Sequence, residues 1–537
     1  MITRIEIENF KGIGSRQVMD LKPVTLLFGP NSAGKSSIIH ALLYAREVFE
    51  RRNLNADRTL GGGAFVDLGG FRSFVHGRDL SRPVRLRFSL DLKDVGLRWF
   101  EVSPEGPTEG PIPVLNFSHR VLAASIEIEI AWSDKLKSPY CSICAVELNG
   151  QPFATIHADP EVPSVELTSL EVDHPILDPV YKHDEGPPSD EDIEPREWVD
   201  RIFRDRDDLG FPLEIVGQEE ALPASDRALR FPFRRSHPRR SHPEQGSVWE
   251  DVVVELGWEP SLLSTLLTQL IVGPTERLRE ALSSFRYLGP LREPPPRNYE
   301  PPRSPDPSRW PSGLAAWDLL SRDAKLVEEA SIWLSDEKRL DAGYGLRLFE
   351  YKELPIESPA FVRIGSTPDI DDLDMLKEEV VSLDTKRRLV LTAPTLDVLP
   401  SDVGVGISQL VPVIGLALDP ETGMAAIEQP ELHLHPRLQA EMGDLFIEKS
   451  REGKRLFLLE THSEHLLLRL LRRIRETGEG ELPRDSFPCL TPDRIAVFYV
   501  ETSDGQTKVQ NLRVDETGEF IDRWPRGFFE ERAKELF

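Results

Sequence analysis

The spacing of hydrophobic positions divides the chain into a regular beginning, an irregular middle and a regular end. Ile2 to Ile7 alternates with period two and predicts a strand, Val24 to Phe28 is a continuous apolar run, and Ser37 to Phe49 repeats at helical spacing. After a glycine-rich stretch from Gly61 to Gly70, alternation returns in Val84–Leu92 and, in part, in Val121–Trp132. The segment CSICAVELNGQPF carries the hairpin dipeptide Asn149-Gly150. These runs predict a meander of antiparallel strands.

From about Asp159 to Ser312 the pattern breaks. Asp184 to Glu197 is acidic and proline-bearing, Pro294 to Pro311 is dense in proline, and Pro260 to Phe285 is apolar enough for two short helices. Regular character resumes from about Leu389, with GISQLVPVIGLAL predicted as a helix and MAAI and RLFLLE as strands. A late hairpin is predicted around Asp504-Gly505. No heptad repeat is sustained, and no run of ~18 apolar residues could span a membrane.

Composition adds three constraints. The 45 prolines in 537 residues exceed the usual ~5% and mark the middle as loop-rich. Three cysteines argue against a disulfide scaffold and for a reducing, cytoplasmic setting, and MITRIEIENFKGIG lacks the layout of a signal peptide. The formal charge of −26 repels nucleic acid overall, so contact with it needs a local basic patch. Arg230, Arg234, Arg235, Arg239 and Arg240, in RFPFRRSHPRRSHP, form the one dense candidate. A solvated loop is the competing reading of that run.

Gly29-Pro30-Asn31-Ser32-Ala33-Gly34-Lys35-Ser36 is a full G-x-x-x-x-G-K-S, set between the Val24–Phe28 strand and the helix from Ser37. Its backbone N–H groups can turn inward around a polyphosphate, with the helix N-terminus adding a favourable dipole. Lys35 is expected to reach the β- and γ-phosphates and Ser36 to give its hydroxyl to Mg²⁺, so ATP and Mg²⁺ are the expected ligands. Met424 to Ile427 ends in Glu428, the acid expected to hold Mg²⁺ opposite Ser36. A second strand ends in Glu460-Thr461-His462-Ser463, and open α/β sheets bind ligands at such ends.

GPNSAGKS, IEQPELHLHP and ETHSEH, in that order and separation, resemble the ABC-type ATPase heads of the SMC, RecF and OLD group, and fit best the OLD-like bacterial ATPases. The resemblance implies an α/β P-loop ABC-type head, a mixed sheet core with an antiparallel β subdomain. It divides the chain into an N-terminal lobe (1–158), an irregular, partly helical insertion (159–312) and a C-terminal lobe (313–537). It implies that Gly29, Asn31, Ser32, Ala33, Gly34, Lys35, Ser36 and Ser37 bind the nucleotide. Gly406 and Ser408, in the signature segment that opens a helix, would cap the γ-phosphate of a second copy. Leu432–Pro436 falls where a D-loop crosses the dimer, Asp67 about where a Q-loop lies, and His462 resembles the switch histidine. Arg286–Arg292 matches a recurrent segment of the group. The stretch from ETHSEH to DRWPRGFFEER also resembles a small uncharacterised domain that closes one branch of it.

One position departs from the pattern. Where many relatives carry a second acid to polarise the attacking water, this chain has Gln429, which can orient a water but cannot take its proton. Slow hydrolysis is expected unless Glu431 or His462 helps. The resemblance further implies a homodimer acting as a switch in anti-phage defence, sensing nucleic acid and controlling a separate nuclease or toxin. Only 75 residues (537 − 462) follow His462, too few for the nuclease domain many OLD proteins carry. A RecF-like repair clamp, an ATP-gated scaffold without turnover and a transporter subunit are the alternatives. His433, His435, His462 and His465 with Glu428 and Glu431 could be read as a zinc cluster, but a P-loop site explains them without one. Cys141 and Cys144 are expected to be ordinary strand residues.

Overall fold

The computed structural model describes residues 1–98, 120–161, 164–177, 212–225, 227–231, 264–358, 361–362, 370–393, 396–452, 455–483 and 487–525. In chain order the strands are β1 (Ile2–Glu8), β2 (Gln17–Asp20), β3 (Val24–Phe28), β4 (Val84–Asp91), β5 (Ala123–Ser133), β6 (Ser138–Leu148), β7 (Gln151–Asp159), β8 (Ser164–Leu170) and β9 (Leu213–Glu214). They continue as β10 (Phe285–Leu288), β11 (Gly345–Tyr351), β12 (Lys386–Thr392), β13 (Asp397–Val398), β14 (Met424–Glu428), β15 (Leu456–Glu460), β16 (Ile495–Ser503) and β17 (Gln506–Leu512).

A six-stranded sheet in the order β10-β14-β15-β3-β16-β17 forms the centre. Its first five strands are parallel and β17 returns antiparallel through the Asp504-Gly505 turn. VTLLF, MAAIE and LFLLE are buried at every position, as parallel strands covered on both faces must be. Within β3, Val24, Leu26 and Phe28 face one core while Leu27 faces the other. The helices Val405–Leu418, Pro436–Glu452 and Glu464–Gly478 cover the first face through Val411, Ile414, Phe446 and Leu466.

The P-loop helix Lys35–Arg51 covers the other face and is itself roofed by an eight-stranded antiparallel sheet, β2-β1-β4-β5-β6-β7-β8-β9. In β4 and β5 burial alternates almost strictly, so one set of side chains enters the core beside Ile38 and Leu42 and the other faces outward. Asn149 and Gly150 turn β6 into β7 with positive φ values of 51° and 82°. Cys141 and Cys144 are free, buried residues of β6. A three-stranded sheet, β11-β12-β13, is separate in its hydrogen bonding but shares the first core through Leu346, Leu389 and Leu391.

The mixed core and antiparallel subdomain match the expected fold class. The 159–312 stretch, expected to be irregular, contributes more regular structure than its composition suggested. β8 and β9 extend the antiparallel sheet, Gly273–Ser283 is helical, and β10 pairs in register with β14. Short apolar segments such as Leu266–Leu267 and Leu270–Val272 are fully buried. These segments and the helix Gly273–Ser283 lie within Pro260–Phe285, the apolar stretch expected to hold two short helices, whereas β8, β9 and β10 were not anticipated.

Candidate functional site

The site lies at the carboxyl ends of β3, β14 and β15, where an open parallel sheet places its ligands. Two P-loop glycines are sterically required. A Cβ on Gly29 (φ 144°) would stand 1.9 Å from the Val500 carbonyl oxygen, and one on Gly34 (φ 102°) 2.2 Å from Thr507 Oγ1. The same Thr507 hydroxyl donates to the Ala33 carbonyl at 3.0 Å, so the β16–β17 hairpin walls the loop. Asn31 and Ser32 are exposed at the tip, and the Ser37 amide donates to Gly34 O at 3.0 Å.

Lys35 is 3% exposed and donates to the carbonyls of Gly29 (2.9 Å) and Pro30 (3.0 Å). Its ammonium lies 3.7 Å from Glu460. Burial pushes its pKa down, while the charges of Glu460, Glu428 and Glu431 pull the other way. Ser36 Oγ donates to Glu460 Oε2 at 2.9 Å. The acid against Ser36 is thus Glu460, where Glu428 was expected. The sheet order explains it: β15 lies between β14 and β3, so its terminal acid is the one beside the P-loop and Glu428 stands one strand further out.

Glu428 and Glu460 are register partners on adjacent parallel strands. Burial, then the neighbouring Glu460, raises Glu428 to about 7, and Glu460 is raised by burial against the opposing pull of Lys35. Tyr287, from β10, donates its hydroxyl to Glu428 Oε1 at 3.0 Å. Arg292 is buried, and its Nη2 donates to the main-chain oxygens of Glu428 (2.6 Å) and Gln429 (3.2 Å). Its main-chain N–H donates to Gln409 Oε1 at 3.1 Å and its carbonyl oxygen accepts from Gln409 Nε2 at 2.5 Å. The Arg286–Arg292 segment therefore braces the acid-bearing turn and ties it to the helix Val405–Leu418.

Gln429 sits at φ 45° with its amide donating to Glu460 O at 2.7 Å. Both Glu431 oxygens are engaged, Oε2 by the Thr461 hydroxyl (2.8 Å) and Oε1 by the His462 amide (2.7 Å). His462 is half-buried; its Nε2 has no hydrogen-bond partner among the described residues, and burial followed by Lys35 lowers its pKa. Lys11 completes the surroundings: its ammonium is 2.6 Å from His40 Nδ1, and burial pushes it down to about 8 against Asp67 and Glu428.

The helix expected to carry the signature segment begins at Val405, and Ser408 falls inside its first turns, 3% exposed, with its hydroxyl on Val405 O at 2.8 Å. Exposed Gly404 and Val405 form the tip instead. A Cβ on Gly406 would meet the His433 carbonyl oxygen at 2.8 Å, so this tip packs on the Leu432–Pro436 segment. His433, His435 and His465 are exposed, and among the described residues no group of three or more metal-ligating side chains forms. Of the basic patch only Arg230 is described, as an exposed residue; Arg234, Arg235, Arg239 and Arg240 lie outside the described residues.

The sequence reading missed Glu460, Tyr287 and Arg292 as site residues. Glu460 carried a signal as the acid at a strand's carboxyl end, and Tyr287 and Arg292 carried one only as part of the recurrent Arg286–Arg292 segment, without a role. The donors suit Mg²⁺: a serine hydroxyl and buried carboxylates are hard oxygen ligands, and two like-charged acids on neighbouring strands favour a cation between them.

A P-loop on a parallel strand, with acids supplied by two further parallel strands from the far end of the chain, defines a split P-loop ATPase domain with its motifs in the order of ABC-type heads. A family model described as an AAA ATPase domain matches residues 1–58 and 390–467, and one described as a protein of unknown function (DUF3696) matches 490–537. No curated protein matches the chain. Among solved structures, the SMC head domain from Thermotoga maritima is 10% identical, with 96% of this chain and 99% of that one covered and a TM-score of 0.34. The Smc head domain with an extended coiled coil bound to the C-terminal domain of ScpA, from Pyrococcus furiosus, is 13% identical, with 100% and 98% covered and a TM-score of 0.36. Among the described residues no helix is long and apolar enough to cross a membrane.

Proposed function

We propose that the chain is an ATP-driven switch of the OLD-like kind: two copies close around ATP and Mg²⁺, and hydrolysis lets them part. The observation that carries this reading is the convergence of Lys35 and Ser36 with Glu428, Glu431 and Glu460, brought together from opposite ends of the chain. Support for closure on a second copy comes from the helix opened by exposed Gly404 and Val405, whose N-terminus favours an anion. The γ-phosphate of a facing copy is the anion it would take, through Gly406 and the turn that leads to Ser408. Closure follows if ATP binds the paired state more tightly than the separated one.

Lys35 and the P-loop amides would hold the β- and γ-phosphates, Ser36 and the acid beside it would hold Mg²⁺, and His462, from the β15 end, would meet the γ-phosphate. Turnover is slow in this reading because it waits for the second copy, and slow turnover suits a timer better than a motor. Downstream, the OLD-like resemblance supports a place in an anti-phage defence complex, where nucleic acid contacted through the Arg230–Arg240 run controls a separate nuclease or toxin chain.

Lys35→Ala tests the core of the reading. The variant is expected to lose ATP binding, by at least ~100-fold, together with ATP-dependent dimerisation seen by light scattering on a sizing column. A variant that still dimerises with ATP removes the head-closure model.

A further inference from the structure

We propose that Glu460 is the metal-side acid of this site and that Glu428 receives the proton of the attacking water. This division of roles, which rests on the ATPase reading above, restores the two-acid chemistry that Gln429 denies to the strand end itself. The P-loop serine is the residue whose hydroxyl belongs on Mg²⁺, and the carboxylate sharing that hydroxyl is Glu460, at 2.9 Å. Its other oxygen faces the Lys35 ammonium at 3.7 Å. Both Glu460 oxygens are therefore turned toward the phosphate-and-metal side of the site.

The remaining acids divide by the commitments of their oxygens. Glu431 has given both, to Thr461 and to the His462 amide, and so fixes the switch loop. Gln429 has no basic atom, and its left-handed backbone hangs on Glu460 O. Glu428 has one oxygen on Tyr287, and among the described residues no hydrogen bond engages the second. Its main chain is clamped by Arg292 and its other oxygen by Tyr287, which together hold the carboxylate in place. Register pairing sets it beside Glu460 at about one strand spacing, ~4.8 Å, from the metal-side acid.

Mg²⁺ held by Ser36 and Glu460 would neutralise charge on the β- and γ-phosphates. In the hydrolytic step a water lone pair forms the new bond to the γ-phosphorus. The bond from that phosphorus to the β,γ-bridging oxygen breaks, and its electron pair leaves with ADP. The water's proton passes to the free oxygen of Glu428 and from there to solvent, leaving inorganic phosphate.

Three near-isosteric variants of the full chain separate the roles, read by ATP affinity with Mg²⁺ and with EDTA, by the Mn²⁺ spin-resonance signal in the presence of ATP, and by single-turnover phosphate release. Glu460→Gln is expected to bring the ratio of the two affinities close to one and to lose the bound-Mn²⁺ signal, and Glu460→Asp to restore part of both. Glu428→Gln is expected to keep the Mg²⁺ dependence and the Mn²⁺ signal while phosphate release falls ~10²–10⁴-fold, the usual worth of a general base. Gln429→Glu is expected to change release less than ~3-fold, since the proton already has an acceptor. Loss of the Mn²⁺ signal in Glu428→Gln but not in Glu460→Gln overturns the assignment, as does a large gain in Gln429→Glu. Failure of the unmodified protein to bind ATP at all would instead remove the ATPase reading beneath it.

Discussion

Two clusters of charged residues in this molecule are built on contrasting terms. On the outer face of the antiparallel sheet, register pairing alternates the signs across β1, β4 and β5: Glu8 faces Arg85, which faces Glu129, and Glu6 faces Arg87, which faces Glu127. The pairs are close, with Arg85–Glu129 at 2.8 Å and Arg16–Glu127 at 2.7 Å, and Arg87 also bonds Glu147. Each charge there has an opposite partner and contact with solvent. At the carboxyl ends of β14 and β15 acids outnumber their partners: Lys35 lies 3.7 Å from Glu460, and among the described residues no ion pair engages Glu428. Glu428 and Glu460 stand side by side in a buried setting, and Arg292, equally buried, spends Nη2 on two carbonyls while its Nε and Nη1 find no partner among the described residues. Balanced charge at a surface is local architecture. Unbalanced charge in the interior is costly, and a fold retains it where a ligand completes it.

The largest effect that could break this contrast is at Arg292. Arg292→Met removes the buried charge at similar volume, leaving the main-chain oxygens of Glu428 and Gln429 without their donor. Urea unfolding is expected to show a loss of about 2–3 kcal/mol, held below the full cost of breaking a buried ion pair because the guanidinium is itself poorly satisfied. Single-turnover hydrolysis should fall further than stability alone explains, since the turn carrying Glu428 loses its clamp. A variant as stable and as fast as the parent would mean that Arg292 is a tolerated passenger and that the interior charges are not an organised set.

Much of this arrangement was legible beforehand, and what was not has a common cause. Continuous apolar runs announced β3, β14 and β15, alternation announced β4 and β5, and G-x-x-x-x-G-K-S fixed the phosphate end of the site. Those signals are local. Strand order is not: nothing within LFLLE or MAAIE says that β15 inserts between β14 and β3, and that insertion alone gives Ser36 to Glu460. Tyr287 and Arg292 stood in a segment marked by resemblance, but their roles were not legible because their partners lie across a long separation in sequence, beyond a proline-rich stretch. The setting of Ser408 was hidden on a finer scale. The helix starts at Val405, and that placement turns the serine hydroxyl inward to Val405 O. The basic run lies almost wholly outside the described residues, so its arginines add nothing to the comparison.

An intermediate effect is expected at Tyr287, which belongs to the buried set through one hydrogen bond. Tyr287→Phe deletes the hydroxyl on Glu428 Oε1 and leaves the ring that β10 packs into the core. A hydrogen bond to a charged group contributes about 1.5–3 kcal/mol, part of which water could replace at the carboxylate. Turnover is expected to drop roughly 10-fold, equivalent to about 1.4 kcal/mol, with ATP affinity and its Mg²⁺ dependence unchanged. A fall in Mg²⁺-dependent binding instead would place Tyr287 and Glu428 on the metal side and weaken the separation from Glu460.

The smallest effect sharpens the contrast from the surface side. Arg85 bonds Glu129 at 2.8 Å and Glu8 at 3.2 Å, with its side chain 36% exposed. A double-mutant cycle with Arg85→Ala and Glu129→Ala is expected to give a coupling of about 0.2–1 kcal/mol, the range for exposed and cross-strand ion pairs. Because the pair is in contact with solvent, the coupling should shrink in 1 M salt, where the screening length falls to ~3 Å. Neither variant should alter ATP affinity. The buried acids are expected to behave differently, with Glu460→Gln acting on metal-dependent nucleotide binding and Glu428→Gln on phosphate release, both responding little to salt. A salt-resistant coupling above ~2 kcal/mol at Arg85–Glu129 would show that the ladder is as strongly bound together as the site, and the distinction between a balanced face and an unbalanced interior would have to be redrawn.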